Sequence, residues 1–180
     1  MTAPNELKRA VFVDRDGTVM TDVNYCRRPG DVAVFNGAGE ALRRLKQNGF
    51  KVIVVTNQSG IGRGYFSGED YHAVHAEFVR QVGENVIDAA YYCPDLPDVG
   101  SVRRKPAPGM VLEAQREHGL DLSRSFFVGD KAIDVECGRA AGTRTILIED
   151  GSGTSGSCAP DWVARDLQQA TDLILEHADD

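Results

Sequence analysis

The chain has 180 residues, 42% of them hydrophobic and 26% charged, and a net charge of −7. Residues 1–180 suit one globular domain with its own core, and the balance is not that of a disordered or fibrous chain. The acidic excess argues against nucleic acid as the partner, and no apolar run approaches the ~18 residues a membrane span needs.

The polar stretch from Met1 to Arg9 lacks the apolar run of a signal peptide, so a cytoplasmic protein, monomeric and without a membrane partner, is expected. Ala10 to Asp14 then reads as a buried strand. Ala38 to Asn48 carries Ala38, Ala41, Leu42 and Leu45 at helical spacing, with Gly49 placed to end the helix. Lys51 to Thr56 is the second strand. Ser67 with Asp70 resembles a capping box that opens a helix running to about Val82. Its His72 and His75 lie one turn apart and, with no third ligand nearby, read as a partly exposed helix face. Ala89 to Tyr92 is the third strand, and Pro108 and Gly119 bracket the next helix. Ser125 to Gly129 and Thr143 to Ile148 are further strands on either side of a helix from Ala132 to Ala141. Gly151 to Gly156 reads as a loop, Trp162-Val163 as a short strand, Leu167 to Glu176 as a last helix, and Asp179-Asp180 as a frayed tail. Apolar strands without polar alternation, separated by helices, predict a doubly wound, three-layer α/β fold with a mostly parallel sheet. Cys26, Cys93, Cys137 and Cys158 lie far apart, form no C-x-x-C pair, and read as reduced thiols.

The strongest chemical signal is Asp14-Arg15-Asp16-Gly17-Thr18, directly after the first strand. Ligand sites of open α/β sheets lie beyond the carboxyl ends of the strands. Positions i and i+2 of an extended chain face the same way, so Asp14 and Asp16 can share a site while Arg15 points elsewhere. On these residues alone a polar turn and a catalytic pair are both open, whereas the glycine and acidic spacing of a calcium loop does not fit. Thr56-Asn57-Gln58-Ser59, Arg104-Lys105 and Gly129-Asp130-Lys131, with Asp134 one helical turn on, follow other strands. The fold gathers such ends.

The set suits phosphoryl transfer. With a net charge of −7, a phosphate must be drawn by local cations such as Arg27-Arg28, Arg63, Arg103-Arg104-Lys105 and Lys131. Asp14 is the expected nucleophile, forming an aspartyl phosphate, and Thr56 and Lys105 the groups on the phosphoryl oxygens. Asp16 is the expected acid and then base, with a raised pKa. Asp14, Asp130 and a main-chain carbonyl make a sparse oxygen shell of the kind Mg²⁺ accepts.

The order Asp-x-Asp-Gly-Thr, Thr, Lys, Gly-Asp-x-x-x-Asp, from about Val11 to Ile148, resembles the haloacid dehalogenase-like (HAD) phosphatases. Four stretches, Asp14 to Thr18, Thr56 to Gly64, Arg104 to Pro106 and Gly129 to Lys131, are similar to the heptose 1,7-bisphosphate phosphatases among them. The resemblance implies removal of the C7 phosphate of a small sugar bisphosphate. It implies a Mg²⁺ site of Asp14, the Asp16 carbonyl and Asp130, and catalytic roles for Asp14, Asp16, Thr56 and Lys105. It implies substrate contacts by Asp22, Tyr25, Asn57, Gln58, Ser59, Arg104 and Lys131, the last two reaching the second phosphate. For Tyr25, loop packing is the plain alternative. With no long insertion after either of the first two motifs, a capless enzyme is expected.

One departure stands out. Many relatives hold a zinc ion through Cys-x-His and Cys-x-Cys before Arg-Lys-Pro; here the segment from Cys93 to Arg103 keeps only Cys93 and has no His. Four-coordinate zinc cannot be assembled from it, so no structural zinc is expected, and the rigidity of the loop is open. Histidinol-phosphate phosphatase is the close rival, and a generic sugar or nucleotide phosphatase is a broader one. A receiver-like phosphoacceptor domain is disfavoured because the third strand ends Tyr91-Tyr92-Cys93 and carries no acceptor Asp. The spacing of Gly60, Gly62 and Gly64 fits neither a dinucleotide fingerprint nor a P-loop.

Overall fold

In the structure, a computed structural model, residues 7–149 and 159–179 are described. The strands are β1 (Arg9–Val13), β2 (Phe50–Asn57), β3 (Ala89–Cys93), β4 (Phe126–Gly129), β5 (Arg144–Ile148) and β6 (Trp162–Ala164). They form one sheet in the order β3-β2-β1-β4-β5-β6, and every neighbouring pair is parallel, so the sheet is wholly rather than mostly parallel. β1 lies at the centre, with Val13 in register with Val54 of β2 and with Val128 of β4.

The helices are α1 (Ala38–Gln47), the short turn α2 (Ser59–Gly62), α3 (Gly68–Val82), α4 (Gly109–His118), α5 (Ala132–Ala141) and α6 (Leu167–Glu176). Successive strand residues point to opposite faces, and both faces are covered. Val11, Val13, Val52, Val54 and Val128 pack with Leu42 and Leu45 of α1, Val74 and Phe78 of α3, and Ile174 of α6. Ala10, Phe12, Ile53, Val55 and Phe127 pack on the other side with Met110, Val111 and Ala114 of α4 and Cys137 of α5. Each fully buried aliphatic or aromatic side chain of this kind contributes roughly 1.5–3 kcal/mol relative to exposure. This sandwich makes the sheet a rigid base, and loops at its carboxyl edge carry the polar residues.

The predicted boundaries hold within about a residue, the usual scatter of element ends. α3 has the reciprocal cap: Asp70 N–H donates to Ser67 Oγ at 3.1 Å and Ser67 N–H to Asp70 Oδ2 at 2.7 Å. The short turn α2 has no counterpart among the predicted elements; its Gly62 N–H docks on the Pro94 carbonyl at 3.2 Å. The segments between β1 and α1 and between β2 and α3 hold only short turns, with no inserted domain. No described helix is long and apolar enough to cross a membrane. Cys26, Cys93 and Cys137 are free thiols, while Cys158, the Gly151 to Gly156 loop and Asp180 lie outside the described residues. Asp179 stays exposed but accepts an ion pair from Arg9 at 3.2 Å.

The two histidines of α3 differ. His72 is exposed, whereas His75 is partly buried and stacked between Tyr71 (5.8 Å) and Phe78 (5.7 Å). Burial, then the charge of Arg15, lowers its pKa from 6.5 to about 4. In the unfolded chain the ring takes a proton below its ordinary pKa, whereas the fold refuses it until about pH 4. Stability from this site is therefore lost as pH falls through that interval. His75→Phe, which keeps the stack, is expected to flatten the decline in unfolding midpoint between pH 6.5 and 4. Denaturant titrations across that range check it, and an unchanged slope excludes His75 as the source.

Candidate active site

Asp14 follows β1 directly and is 5% exposed, its N–H held by the Val128 carbonyl at 3.0 Å. The chain then turns at Gly17, whose φ of +96° an L side chain rarely adopts. A Cβ there would sit 2.3 Å from Asp130 Oδ2, so the bare glycine lets Asp130 come in beside β1. Thr18 Oγ1 donates to Asp130 Oδ1 at 3.1 Å and fixes that carboxylate. Arg15 corrects the alternation argument: its guanidinium does not leave the site but folds back, fully buried, onto the Asp16 carboxylate.

The end of β2 supplies the opposite wall. Gln58 Nε2 donates to Asp16 Oδ2 and to Thr56 Oγ1, both at 2.9 Å, and Thr56 Oγ1 lies 3.4 Å from Asp16 Oδ2. The Asn57 amide engages the main chain of Lys105 from both sides: Nδ2 donates to its carbonyl and Oδ1 accepts from its N–H, each at 3.1 Å. Lys105 is 3% exposed; its Nζ donates to Asp14 (2.6 Å) and the Val55 carbonyl (3.0 Å) and forms an ion pair with Asp134 Oδ1 at 2.7 Å. Asp134, on the first turn of α5, also accepts the Lys131 N–H at 3.1 Å. A Cβ on Gly129 would fall 2.2 Å from that of Asp134, so this second glycine admits the carboxylate to the site. The ammonium of Lys131 pairs with Asp22 at 3.0 Å and stands 3.8 Å from Asp130.

The electrostatics follow from this crowding. Burial raises the pKa of Asp16, in the expected direction, against the pull of Arg15, with Asp14 adding to the rise. Burial and Asp14 also raise Asp130, and burial raises Asp134 against the pull of Lys105. For Lys105, burial alone would lower the pKa, but Asp134 and Asp14 together hold it well above the usual lysine value. Lys131 is likewise lifted to about 12 by Asp130 and Asp22 against its own desolvation.

A cavity of about 210 Å³ opens over these groups, lined by Asp14, Asp16, Thr56 and Lys105 together with Asp22, Tyr25, Asn57, Gln58, Ser59 and Lys131. The Tyr25 ring both lines the cavity and packs edge-on against Tyr65 at 5.0 Å, so wall and packing roles coincide. Arg104 is not on the cavity wall; its Nη1 donates to the Asp95 carbonyl at 2.9 Å. With the Arg103–Glu113 ion pair (2.9 Å) and the Gly109 N–H to Val102 carbonyl bond (2.9 Å), this ties down the loop that keeps only Cys93.

Carboxylate oxygens of Asp14, Asp130 and Asp134 lie within 4.8 Å of one another. The single buried ammonium of Lys105 and the more distant one of Lys131, shared with Asp22, do not fully offset three clustered carboxylates, and the donors are all hard oxygens, so a divalent cation such as Mg²⁺ fits the group. Asp134 is the side chain that the sequence reading left out of the site. The signal lies in the Gly129-Asp130-x-x-x-Asp134 spacing, which sets Asp130 just before α5 and Asp134 in its first turn, both at the carboxyl end of β4. The Asp16 carboxylate lies outside the trio, which leaves its main-chain carbonyl as the expected ligand atom.

An aspartate at the end of β1 that is paired with a buried lysine and clustered with two carboxylates beside α5, in a cavity also lined by a hydroxyl from β2, over a parallel sheet, defines a HAD-type phosphatase. The HAD-hydrolase-like family model matches residues 102–170. The chain is 40% identical over 188 residues to the D-glycero-D-manno-heptose-1,7-bisphosphate 7-phosphatase of Thermosynechococcus vestitus, covering 93% of this chain and 96% of that protein. It is 38% identical to the D-glycero-beta-D-manno-heptose-1,7-bisphosphate 7-phosphatase of Yersinia pestis, over 88% and 90% of the two chains. The D,D-heptose 1,7-bisphosphate phosphatase of B. bronchiseptica, solved with magnesium and phosphate, superimposes with a TM-score of 0.83 at 29% identity, over 94% of this chain and 99% of that one. The chain belongs to the D,D-heptose 1,7-bisphosphate 7-phosphatase family of HAD phosphatases and is a phosphoric monoester hydrolase.

Proposed function

We propose that this protein, with Mg²⁺ bound, removes the C7 phosphate of D-glycero-D-manno-heptose 1,7-bisphosphate through an aspartyl phosphate on Asp14. The observation that carries this reading is the contact of Lys105 Nζ with both Asp14 and Asp134, inside the carboxylate trio. It leaves a buried nucleophile beside a fixed cation, with room for a divalent metal. The named activity of the relatives, and the magnesium and phosphate held by the B. bronchiseptica enzyme, support the same assignment.

In this reading Asp14 attacks phosphorus as the bond to the sugar oxygen breaks, and Asp16 gives its proton to the departing alkoxide. Asp16, now a carboxylate, takes a proton from the water that opens the aspartyl phosphate and releases inorganic phosphate. Thr56 Oγ1 and Lys105 Nζ bind the phosphoryl oxygens, where charge spreads in the transition state. The metal, held by Asp14, Asp130, Asp134 and the Asp16 carbonyl, supplies neutralising charge for the phosphoryl group when bound. Asn57 orients Lys105 through its main chain, and Thr18 orients Asp130. Asp22, Tyr25, Gln58 and Ser59 face the sugar, and Lys131 faces the second phosphate. Arg104 serves here chiefly as a brace for the cavity-side loop rather than as the expected phosphate contact. Residues 1–180 act as one capless, monomeric, cytoplasmic phosphatase domain.

A panel with Mg²⁺ tests the substrate. It comprises both heptose 1,7-bisphosphate anomers, fructose 1,6-bisphosphate and histidinol phosphate. The expected result is the highest kcat/KM on a heptose bisphosphate, with ³¹P NMR showing the heptose 1-phosphate as product. Histidinol phosphate as the best substrate, or a surviving 7-phosphate, rejects the assignment.

A further inference from the structure

Arg15 is wholly buried, at 0% exposure. An arginine in that setting is a poor choice for packing alone, because desolvating the guanidinium is costly and apolar residues of similar volume often do as well. Its anionic partner is the Asp16 carboxylate, met by a two-pronged fork: Nε to Oδ2 at 3.1 Å and Nη2 to Oδ1 at 3.2 Å. The guanidinium lies over Tyr71, 5.5 Å from the ring centre, and Tyr71 is held in turn by Tyr92, with ring centres 4.1 Å apart. Gln58 Nε2 closes on the carboxylate from the cavity side at 2.9 Å. Rotation of the Asp16 side chain is thus opposed from below by a stacked fork and from above by an amide. A planar fork dictates the plane of the carboxylate it grips, which a point charge does not.

We infer that Arg15 is a positioning residue for catalysis, fixing the plane of the Asp16 carboxylate so that one oxygen meets the leaving sugar oxygen and then the attacking water. The inference rests on the acid–base assignment of Asp16. Proton bookkeeping stays with Asp16: it gives one proton to the alkoxide as the ester P–O bond breaks and recovers one from water. Arg15 keeps all its protons throughout.

Leaving-group dependence separates this role from a structural one. A sugar alkoxide needs the proton, whereas p-nitrophenolate leaves without it. kcat/KM for both reports only the steps up to aspartyl phosphate formation. Arg15→Met and Arg15→Lys are each expected to lower kcat/KM about tenfold to a hundredfold on the best sugar phosphate of the panel. On p-nitrophenyl phosphate the expected loss is less than about threefold. The ratio of the two values does not depend on how much of the preparation is folded, so a destabilised variant still reads out. Equal losses on both substrates overturn the inference, as does a parent-like ratio in Arg15→Lys, which keeps the charge but not the fork. Asp16→Asn, measured alongside, must show a larger split in the same direction. If it shows none, the acid–base assignment has failed; if it does while Arg15→Met does not, only the role of Arg15 has failed.

Discussion

Asp14→Asn is expected to lower kcat on the best substrate by at least about 10⁴-fold while leaving the protein folded, since a group acting as nucleophile has no substitute in the site. An amide is nearly isosteric with the carboxylate, so the bond from Asp14 N–H to Val128 and the approach of Lys105 Nζ to Oδ1 have matching replacements. The substitution also thins a crowd of three carboxylates, which offsets part of the lost attraction to Lys105. Thermal melting within a few degrees of the parent, by about the spread of a 1 kcal/mol change, is therefore anticipated. Phosphate release and acid-quench trapping of a phosphorylated chain are the measurements. A variant that still turns over, or a phosphoryl group trapped on a different residue, would remove Asp14 from its role.

Lys105→Met carries the second large effect, and here stability and activity fall together. Nζ is the sole ion-pair partner recorded for both Asp14 and Asp134 among the described residues, and all three groups are almost wholly buried. Leaving buried carboxylates without their counter-charge costs about 3–5 kcal/mol. Loss of a donor to the phosphoryl oxygens costs about 10²–10³-fold in kcat. Mg²⁺ is expected to raise the melting temperature of Lys105→Met more than that of the parent, because the ion supplies the missing positive charge. Scanning calorimetry with and without the metal checks both statements. A Met variant as stable as the parent without metal would mean that the carboxylates are not charged together.

Much of this arrangement was legible in the residues. Apolar runs such as Lys51 to Thr56 announce buried strands, and Ser67 with Asp70 announces a helix start, because both signals are local. The gathering of Asp14, Thr56, Lys105 and Asp130 followed from a general rule about strand ends, not from contacts. What escaped was decided by side-chain reach and tertiary placement. Alternation tells where the Cβ of Arg15 points, but a long side chain can fold back, and this one does so to meet Asp16. Arg104 sits beside Lys105 in sequence, yet its guanidinium finds the Asp95 carbonyl of a neighbouring turn. The partly exposed helix face expected of His72 and His75 holds, but that Tyr71 and Phe78 flank the His75 ring is set by packing. No sequence pattern encodes those encounters.

The partners that make the site are widely separated along the chain: Asp14 and Lys105 by 91 positions, Thr18 and Asp130 by 112. Local elements such as α1 or α3 can form early, but nothing able to hold a phosphoryl group exists until β2, β1 and β4 stand side by side. In a renaturing sample, regained helicity would thus run ahead of regained turnover. An assay of phosphate release reports the last long-range closure of the molecule, and a nicked or truncated chain that still shows ellipticity would be catalytically silent.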